Sequence, residues 1–149
     1  MPWLKTVHIL CAVVWLGNFV VTGVWSVRAF ATRNGIIRAF ATREILATDI
    51  VFTVVFGAAV TMSGIALAQN DGIAVWATLW TRVALEGMAA AAVVWLGLLL
   101  PLELRMHALA KTGSDDGRLK RLFLLWNAAG WSVTLALCGI IYLMVAQPA

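Results

Sequence analysis

The stretch Leu122–Ala149, LFLLWNAAGWSVTLALCGIIYLMVAQPA, contains no Lys, Arg, Asp or Glu. A helix needs roughly 20 apolar residues to cross the hydrocarbon core of a bilayer, and this stretch is long enough. In lipid, every backbone N–H and C=O group must be satisfied within the protein. An apolar run of this length therefore predicts a helix that spans the membrane.

Three further stretches have the same character. Thr6–Val27 contains no charged residue and Ile45–Asn70 contains only Asp49, whereas Gly72–Leu104 contains Arg82, Glu86 and Glu103. A transmembrane barrel would instead show segments of about ten residues that alternate apolar and polar side chains. The sequence therefore predicts an all-α integral membrane protein, a four-helix up-down bundle. We expect a single domain over 1–149, with spans at about 3–27, 45–69, 73–104 and 121–146.

The composition agrees with this class. Hydrophobic residues make up 62% of the chain and charged residues 12%, which is about half the charged share of soluble domains. No cleavable signal peptide is expected, because the first apolar stretch is too long and no small-residue cleavage pattern follows it. Cys11 and Cys138 both fall inside predicted spans, where cysteine behaves as a small apolar residue, so we expect no disulfide and no metal site.

Positive charge is concentrated in alternate loops. The first loop holds Arg28, Arg33, Arg38 and Arg43. The third loop holds Arg105, Lys111, Arg118, Lys120 and Arg121. The second loop has only Asp71, and the C-terminal tail has no charge. The positive-inside rule therefore places loops one and three in the cytoplasm and both termini outside. Lys5 is the one positive charge that this topology places near the outer face. The net charge of +4 then reflects topology and anionic lipid, and we expect no nucleic-acid binding.

Loop one contains a short repeat. Arg28-Ala-Phe-Ala-Thr-Arg33 returns as Arg38-Ala-Phe-Ala-Thr-Arg43 after an Asn-Gly pair, which marks a turn. One interpretation is a local duplication that lengthened an arginine-rich segment at the membrane interface. The alternative is a docking element for a partner, and the expected contacts to lipid or another chain are the four loop arginines together with Trp3 and Trp25.

A first group of polar residues is expected near the outer face. Ionisable side chains inside a bilayer are costly unless they are paired or hydrated, so each one is a candidate site. The topology brings His8, Arg82, Glu86 and Tyr142 to this level, and we expect Arg82 and Glu86 to face the bundle interior. These two are i,i+4 neighbours and can pair on one helix face. The cluster is either an ion pair capped by His8 or a cofactor-binding site for a propionate, a quinone or a proton.

A second group is expected in the inner half of the membrane, where the spans bring together Asn18, Asp49, Glu103 and Asn127. One interpretation is a structural network in which Asp49 faces the interior and hydrogen-bonds Asn18, Asn127 or a neighbouring hydroxyl, while Glu103 meets a loop arginine. A lipid-facing carboxylate would be too costly to persist there. The alternative is a carboxylate that carries protons.

Several polar landmarks carry a resemblance to a known family. They are Trp3-Leu-Lys-Thr-Val-His8, Gly17-Asn18, Thr48-Asp49-Ile-Val-Phe-Thr53, Leu102-Glu103-Leu-Arg105-Met106 and Arg121-Leu-Phe-Leu-Leu-Trp126-Asn-Ala-Ala-Gly130-Trp131. Over nearly its whole length the chain resembles domain of unknown function 2269, a family of bacterial four-helix membrane proteins. The resemblance implies the fold and no activity. With the charge pattern, it leads us to expect a multi-pass protein of the bacterial inner membrane with periplasmic termini.

More distantly, the chain resembles the four-helix, haem-containing membrane protoporphyrinogen oxidases. The similar features are His8 in span one and the Arg121–Asn127 entry to span four. In that family a span-three Lys is implicated beside the His in haem binding, whereas Arg82 and Glu86 occupy that region here, and Arg cannot serve as a neutral ligand. His107 lies about 30 Å from His8 across the membrane. A haem b at His8 would therefore need Met62, Met88, water or a second chain as its other ligand.

Two functions remain open at this point. The first is a non-catalytic integral subunit or assembly partner of a larger bacterial membrane complex. It is favoured because polar groups that could carry chemistry are scarce and because small residues at helical spacing allow helices to pack closely. The second is a haem- or porphyrin-binding membrane redox protein that uses His8. The sequence assigns no catalytic residue, and it names neither a partner chain nor a cofactor.

Overall fold

The computed structural model describes residues 1–113 and 115–147 and forms four long helices. They are α1 (Pro2–Ala31), α2 (Gly35–Asn70), α3 (Leu79–Thr112) and α4 (Asp116–Ala146). All four are long and apolar enough to cross a membrane. The predicted all-α fold with four membrane-spanning helices is therefore confirmed.

The helices form a ring in which each packs against the next. α1 lies along α2, α2 packs on the second half of α3, α3 packs on α4, and α4 returns to α1. The end of α1 and the start of α2, with the end of α3 and the start of α4, lie at one end of the bundle, which we call the basic end. At the opposite end, which we call the terminal end, lie the start of α1, the longer α2–α3 connection and the end of α4.

The repeated hexapeptide is mostly helical rather than a loop. The first copy ends α1 and extends into the turn at 32–34 with its last two residues, and the second copy lies in the first turns of α2. Asn34 starts α2, because its side-chain oxygen accepts hydrogen bonds from the backbone N–H groups of Ile36 at 2.9 Å and Ile37 at 3.3 Å. The prediction of a long first loop between 27 and 45 was therefore wrong. Both helices continue past their apolar stretches, because the residues there can still form helix until a cap ends it.

The two ends of the bundle are packed differently. Near the basic end lies a tight core that includes Ile45 and Met106, both fully buried, and the stacked rings of Phe30 and Phe123, whose centroids are 3.8 Å apart. At the terminal end α2 makes few contacts with the first half of α3. The bundle is therefore closed and filled at the basic end and open at the terminal end.

A π-helical turn, Trp95–Leu99, interrupts α3. It lies directly before Pro101, which has no backbone N–H and whose ring clashes with the carbonyl four residues earlier in a regular helix. A wider turn accommodates this, and π turns of this kind are frequent at functional sites. The turn brings Trp95 into the bundle interior, where its side chain is 9% exposed and faces α2.

Candidate functional site

Asp49 lies in the interior of the bundle and is 5% exposed. Its Oδ1 accepts a hydrogen bond of 2.7 Å from the Thr53 hydroxyl, one turn further along α2. Its Oδ2 accepts a hydrogen bond of 2.5 Å from the indole Nε1–H of Trp95 on α3. The prediction that Asp49 faces inward and meets a neighbouring hydroxyl is confirmed, and the indole is an additional partner.

Glu103 is fully buried on α3. Its Oε1 accepts a hydrogen bond of 2.8 Å from the Nε1–H of Trp126 on α4. Trp126 and Asp49 line the same small cavity, so the carboxyl groups of Glu103 and Asp49 lie close together. Its Oε2 has no donor among the described residues. The expectation that Glu103 meets a loop arginine is wrong, because Glu103 lies on the face of α3 that also buries Leu99 and Met106.

Two asparagines adjoin this carboxyl pair without bonding to it. Asn18, Asp49, Asn127 and Thr134 all line a small cavity of about 30 Å³ between the helices. The Oδ1 of Asn18 accepts a long, 3.4 Å hydrogen bond from Thr22, whereas the Nδ2 groups of Asn18 and Asn127 are buried without a partner among the described residues. The structure thus brings the four predicted inner residues into one region, with the asparagines around the cavity.

Two indoles hold the carboxyl groups, those of Trp95 and Trp126, and neither contact was predicted from the sequence. A usable signal existed, because an indole N–H deep in a span needs an acceptor, and Asp49 and Glu103 are the acids in the inner halves of their predicted spans. Trp95 and Glu103 also lie two turns apart on α3, so both fall on its inner face.

The open terminal end contains a much larger cavity of about 710 Å³. All four helices contribute to its walls, which are mainly apolar. Its polar or polarisable lining side chains include Lys5, His8, Met88 and Met144. Met62, an alternative haem ligand in the sequence analysis, is 71% exposed and does not line the cavity.

Hydrogen bonding favours the tautomer of His8 with the proton on Nδ1, because the Ser63 hydroxyl has only one proton to donate. The Ser63 hydroxyl donates to the Ala59 carbonyl at 2.5 Å, so its oxygen accepts from His8 Nδ1–H at 2.9 Å. A neutral imidazole with its proton on Nδ1 keeps a free lone pair on Nε2. The ring lies against α2 at Gly64, where a Cβ atom would come 3.0 Å from His8 Cε1, so a side chain at that position would require the ring to shift by a few tenths of an ångström.

Arg82 and Glu86 do not join His8. They form an ion pair with each other at 3.7 Å, their side chains are 50% and 62% exposed, and neither lines the large cavity. Tyr142 is 70% exposed. The expectation that Arg82 and Glu86 face inward is wrong because α3 begins at Leu79 rather than near 73, which puts both residues in its first turns, where long side chains reach the interface.

The residues expected to contact lipid or a partner differ in their burial. Arg38 is buried, pairs with Asp116 and donates from Nη2 to the Phe30 carbonyl at 2.9 Å, so it is unavailable to a partner. Arg28, Arg33, Arg43 and Trp3 are exposed, although Arg43 also pairs with Glu44 at 2.8 Å. Trp25 is half-buried and packs against the core. The expectation for Arg38 is therefore wrong, because the helical hairpin turns it inward.

Comparison with known proteins gives a family and no activity. A family model described as predicted integral membrane protein (DUF2269) matches residues 2–148. No curated protein and no solved structure matches the chain. The first resemblance in the sequence is confirmed, and the more distant one to protoporphyrinogen oxidases is unsupported.

Proposed function

We propose that this chain, which belongs to the DUF2269 family of integral membrane proteins, binds a flat, lipid-soluble cofactor of the porphyrin or quinone class. The observation that carries the proposal is the cavity of about 710 Å³ with His8 in its wall. Binding sites for small molecules and cofactors typically enclose about 300–1,000 Å³ and combine apolar walls with a few polar groups. The terminal-end cavity has this size and this lining.

His8 is suited to the role of polar anchor. Histidines that bind metals usually donate their other ring N–H to a protein group, which fixes the ring orientation, and His8 donates Nδ1–H to Ser63. Its Nε2 lone pair can then bind iron or accept a hydrogen bond from a quinol hydroxyl. The thioethers of Met88 and Met144 offer a second soft ligand, and Lys5 offers a positive charge to a propionate. A bound haem would supply one-electron redox chemistry.

The test is the absorption spectrum of the protein purified in mild detergent and then titrated with haem or with a soluble quinone. We expect binding near one ligand per chain, visible for haem as a Soret band. His8→Ala should weaken binding at least tenfold. His107→Ala is the matched control, since that histidine lies near the basic end, and it should bind like the wild type. Equal binding by the His8→Ala variant, or binding of neither ligand by the wild type, would overturn the proposal.

A second candidate function is that of a non-catalytic subunit or assembly partner of a larger membrane complex. It is favoured by the gap between α2 and the first half of α3, which an apolar helix of another integral membrane chain could occupy. Exposed Arg28 and Arg33 would add contacts at the basic end. A stoichiometric second chain after extraction into lipid nanodiscs would support this function, whereas a monomer with bound cofactor and no partner contradicts it.

The location of the bundle is part of this proposal. We place it in the bacterial inner membrane, with the basic end in the cytoplasm and both termini in the periplasm. The support is the distribution of charge, because exposed arginines and lysines are concentrated at the basic end. In that orientation the cofactor cavity opens toward the periplasmic half of the bilayer.

A further inference from the structure

A second site lies in the other half of the bundle, where two carboxyl groups meet in the interior. Asp49 on α2 is 5% exposed and Glu103 on α3 is fully buried. The two carboxyl groups lie close together, since Asp49 lines the small cavity together with Trp126, whose indole N–H donates to Glu103 at 2.8 Å. Neither residue lines the large terminal-end cavity. The pair is therefore distinct from the proposed cofactor site.

The donors around this pair are neutral. Thr53, Trp95 and Trp126 each donate one hydrogen bond to it, and the ion pairs of the described residues leave both acids without a cationic partner. Two adjacent carboxylates would repel each other strongly in a low-dielectric interior, and neutral donors do not cancel two negative charges. The Oε2 of Glu103 also lacks a donor among the described residues. A single proton between the carboxyl groups removes one charge and supplies that missing hydrogen bond.

We propose that Asp49 and Glu103 form a proton-binding site that holds one proton between their carboxyl groups and exchanges it with water in the adjacent cavity. The site carries one net negative charge, which the two indole N–H groups and the Thr53 hydroxyl stabilise. This inference does not rest on the cofactor proposal. It concerns other residues and another part of the bundle.

The small cavity provides the exchange partner. Its volume of about 30 Å³ exceeds the roughly 10–15 Å³ that one water needs, and Asp49 is in its wall. The amide Nδ2 groups of Asn18 and Asn127, which have no protein partner among the described residues, can donate to that water. The water can in turn donate to Asp49. Proton uptake then forms an O–H bond on a carboxylate oxygen as an O–H bond of a hydronium ion breaks, leaving neutral water.

Infrared spectroscopy of the full-length protein in lipid tests this assignment. At neutral pH the wild type should show the C=O stretching band of a protonated carboxyl group, and this band should shift in D₂O. Asp49→Asn and Glu103→Gln should each remove or shift the band, because each alters one half of the shared site, and the double variant should remove it. Glu86→Gln is the control, since Glu86 is exposed, and it should leave the band unchanged.

Three results would overturn the proposal. They are the absence of the band in the wild type, its persistence in the double variant, and a response to only one of the two single substitutions. If a carboxyl variant fails to fold, Trp95→Phe and Trp126→Phe give an independent test. Each removes one N–H donor and keeps both acids, so each should shift the band. A band that neither tryptophan substitution moves would assign the proton elsewhere.

Discussion

The guanidinium carbon of Arg38 lies 5.7 Å from the centre of the Phe30 ring, and its Nη2 donates a hydrogen bond of 2.9 Å to the Phe30 carbonyl. The two residues belong to different copies of the repeated hexapeptide. Across the α1–α2 turn, the phenylalanine of the first copy and the arginine of the second are buried, whereas their counterparts Phe40 and Arg28 are exposed. The two copies therefore have the same sequence, but their first arginine and their phenylalanine lie in opposite environments.

Replacing Arg38 should destabilise the basic end. Arg38→Ala removes the hydrogen bond to the Phe30 carbonyl and the ion pair with Asp116, which joins α2 to the start of α4. Hydrogen bonds from charged groups contribute about 1.5–3 kcal/mol each, and we expect the free energy of unfolding to fall by about this amount. Thermal unfolding in detergent, followed by circular dichroism, measures the change.

The repeat supplies its own control. Arg28 is the equivalent residue of the first copy and is exposed, so Arg28→Ala should change the free energy of unfolding by no more than about 0.5 kcal/mol. Equal effects of the two substitutions would mean that the burial of Arg38 contributes nothing to stability.

Removing the indole N–H from Trp95 should weaken the contact between α2 and α3. Trp95→Phe keeps an aromatic ring in the π turn and leaves Asp49 Oδ2 without its 2.5 Å hydrogen bond. We expect a loss of about 1–2 kcal/mol in the free energy of unfolding, because buried acceptors without donors are costly even within a membrane. Trp76→Phe is the control, since Trp76 is 68% exposed. A loss of similar size in that control would show that the effect comes from the ring and not from the hydrogen bond.

The physics of lipid made part of this architecture predictable from sequence. Four long runs with few charges could only become spanning helices, because the bilayer offers no partner to an exposed backbone. The same cost predicted that Asp49 faces inward. The prediction of the helices needs only the length of an apolar segment. The prediction for Asp49 needs only the free-energy cost of a carboxylate in lipid.

The sequence predicted helix rotation and tilt poorly. A helix in lipid is apolar on every side, so it lacks the amphipathic pattern that identifies the inner face of a soluble helix. The cost of ionisable side chains in lipid predicted that Arg82 and Glu86 face inward, although both face outward near the start of α3. The large cavity was not predicted, since it depends on how far α3 diverges from α2 at the terminal end. The Asp49–Glu103 pair likewise depends on the π turn and on the register between the two helices.

Adding a methyl group at Gly64 should displace His8. A Cβ atom at this position would lie 3.0 Å from Cε1 of the ring, and the ring is held by its 2.9 Å hydrogen bond to Ser63. We expect Gly64→Ala to break that bond, to shift the ¹⁵N NMR signals of the His8 ring and to reduce cofactor binding. Gly17→Ala is the control, because no atom lies within 4 Å of its added Cβ, and it should raise stability by about 0.5–1 kcal/mol. If Gly64→Ala raises stability as much as Gly17→Ala does and leaves the ¹⁵N signals of His8 unchanged, the His8 ring does not lie against α2.

The orientation of the bundle can be tested by labelling single cysteines. In a variant with Cys11→Ala and Cys138→Ala, a cysteine is placed at Asn70 near the terminal end or at Lys111 near the basic end, both exposed positions. Because the positively charged end stays in the cytoplasm, we expect a membrane-impermeant maleimide to label the Asn70 site in intact spheroplasts. The Lys111 site should react only after the membrane is opened. A cysteine added after Ala149 should behave like the Asn70 site, and labelling of that cysteine only from the cytoplasmic side would reverse the proposed topology.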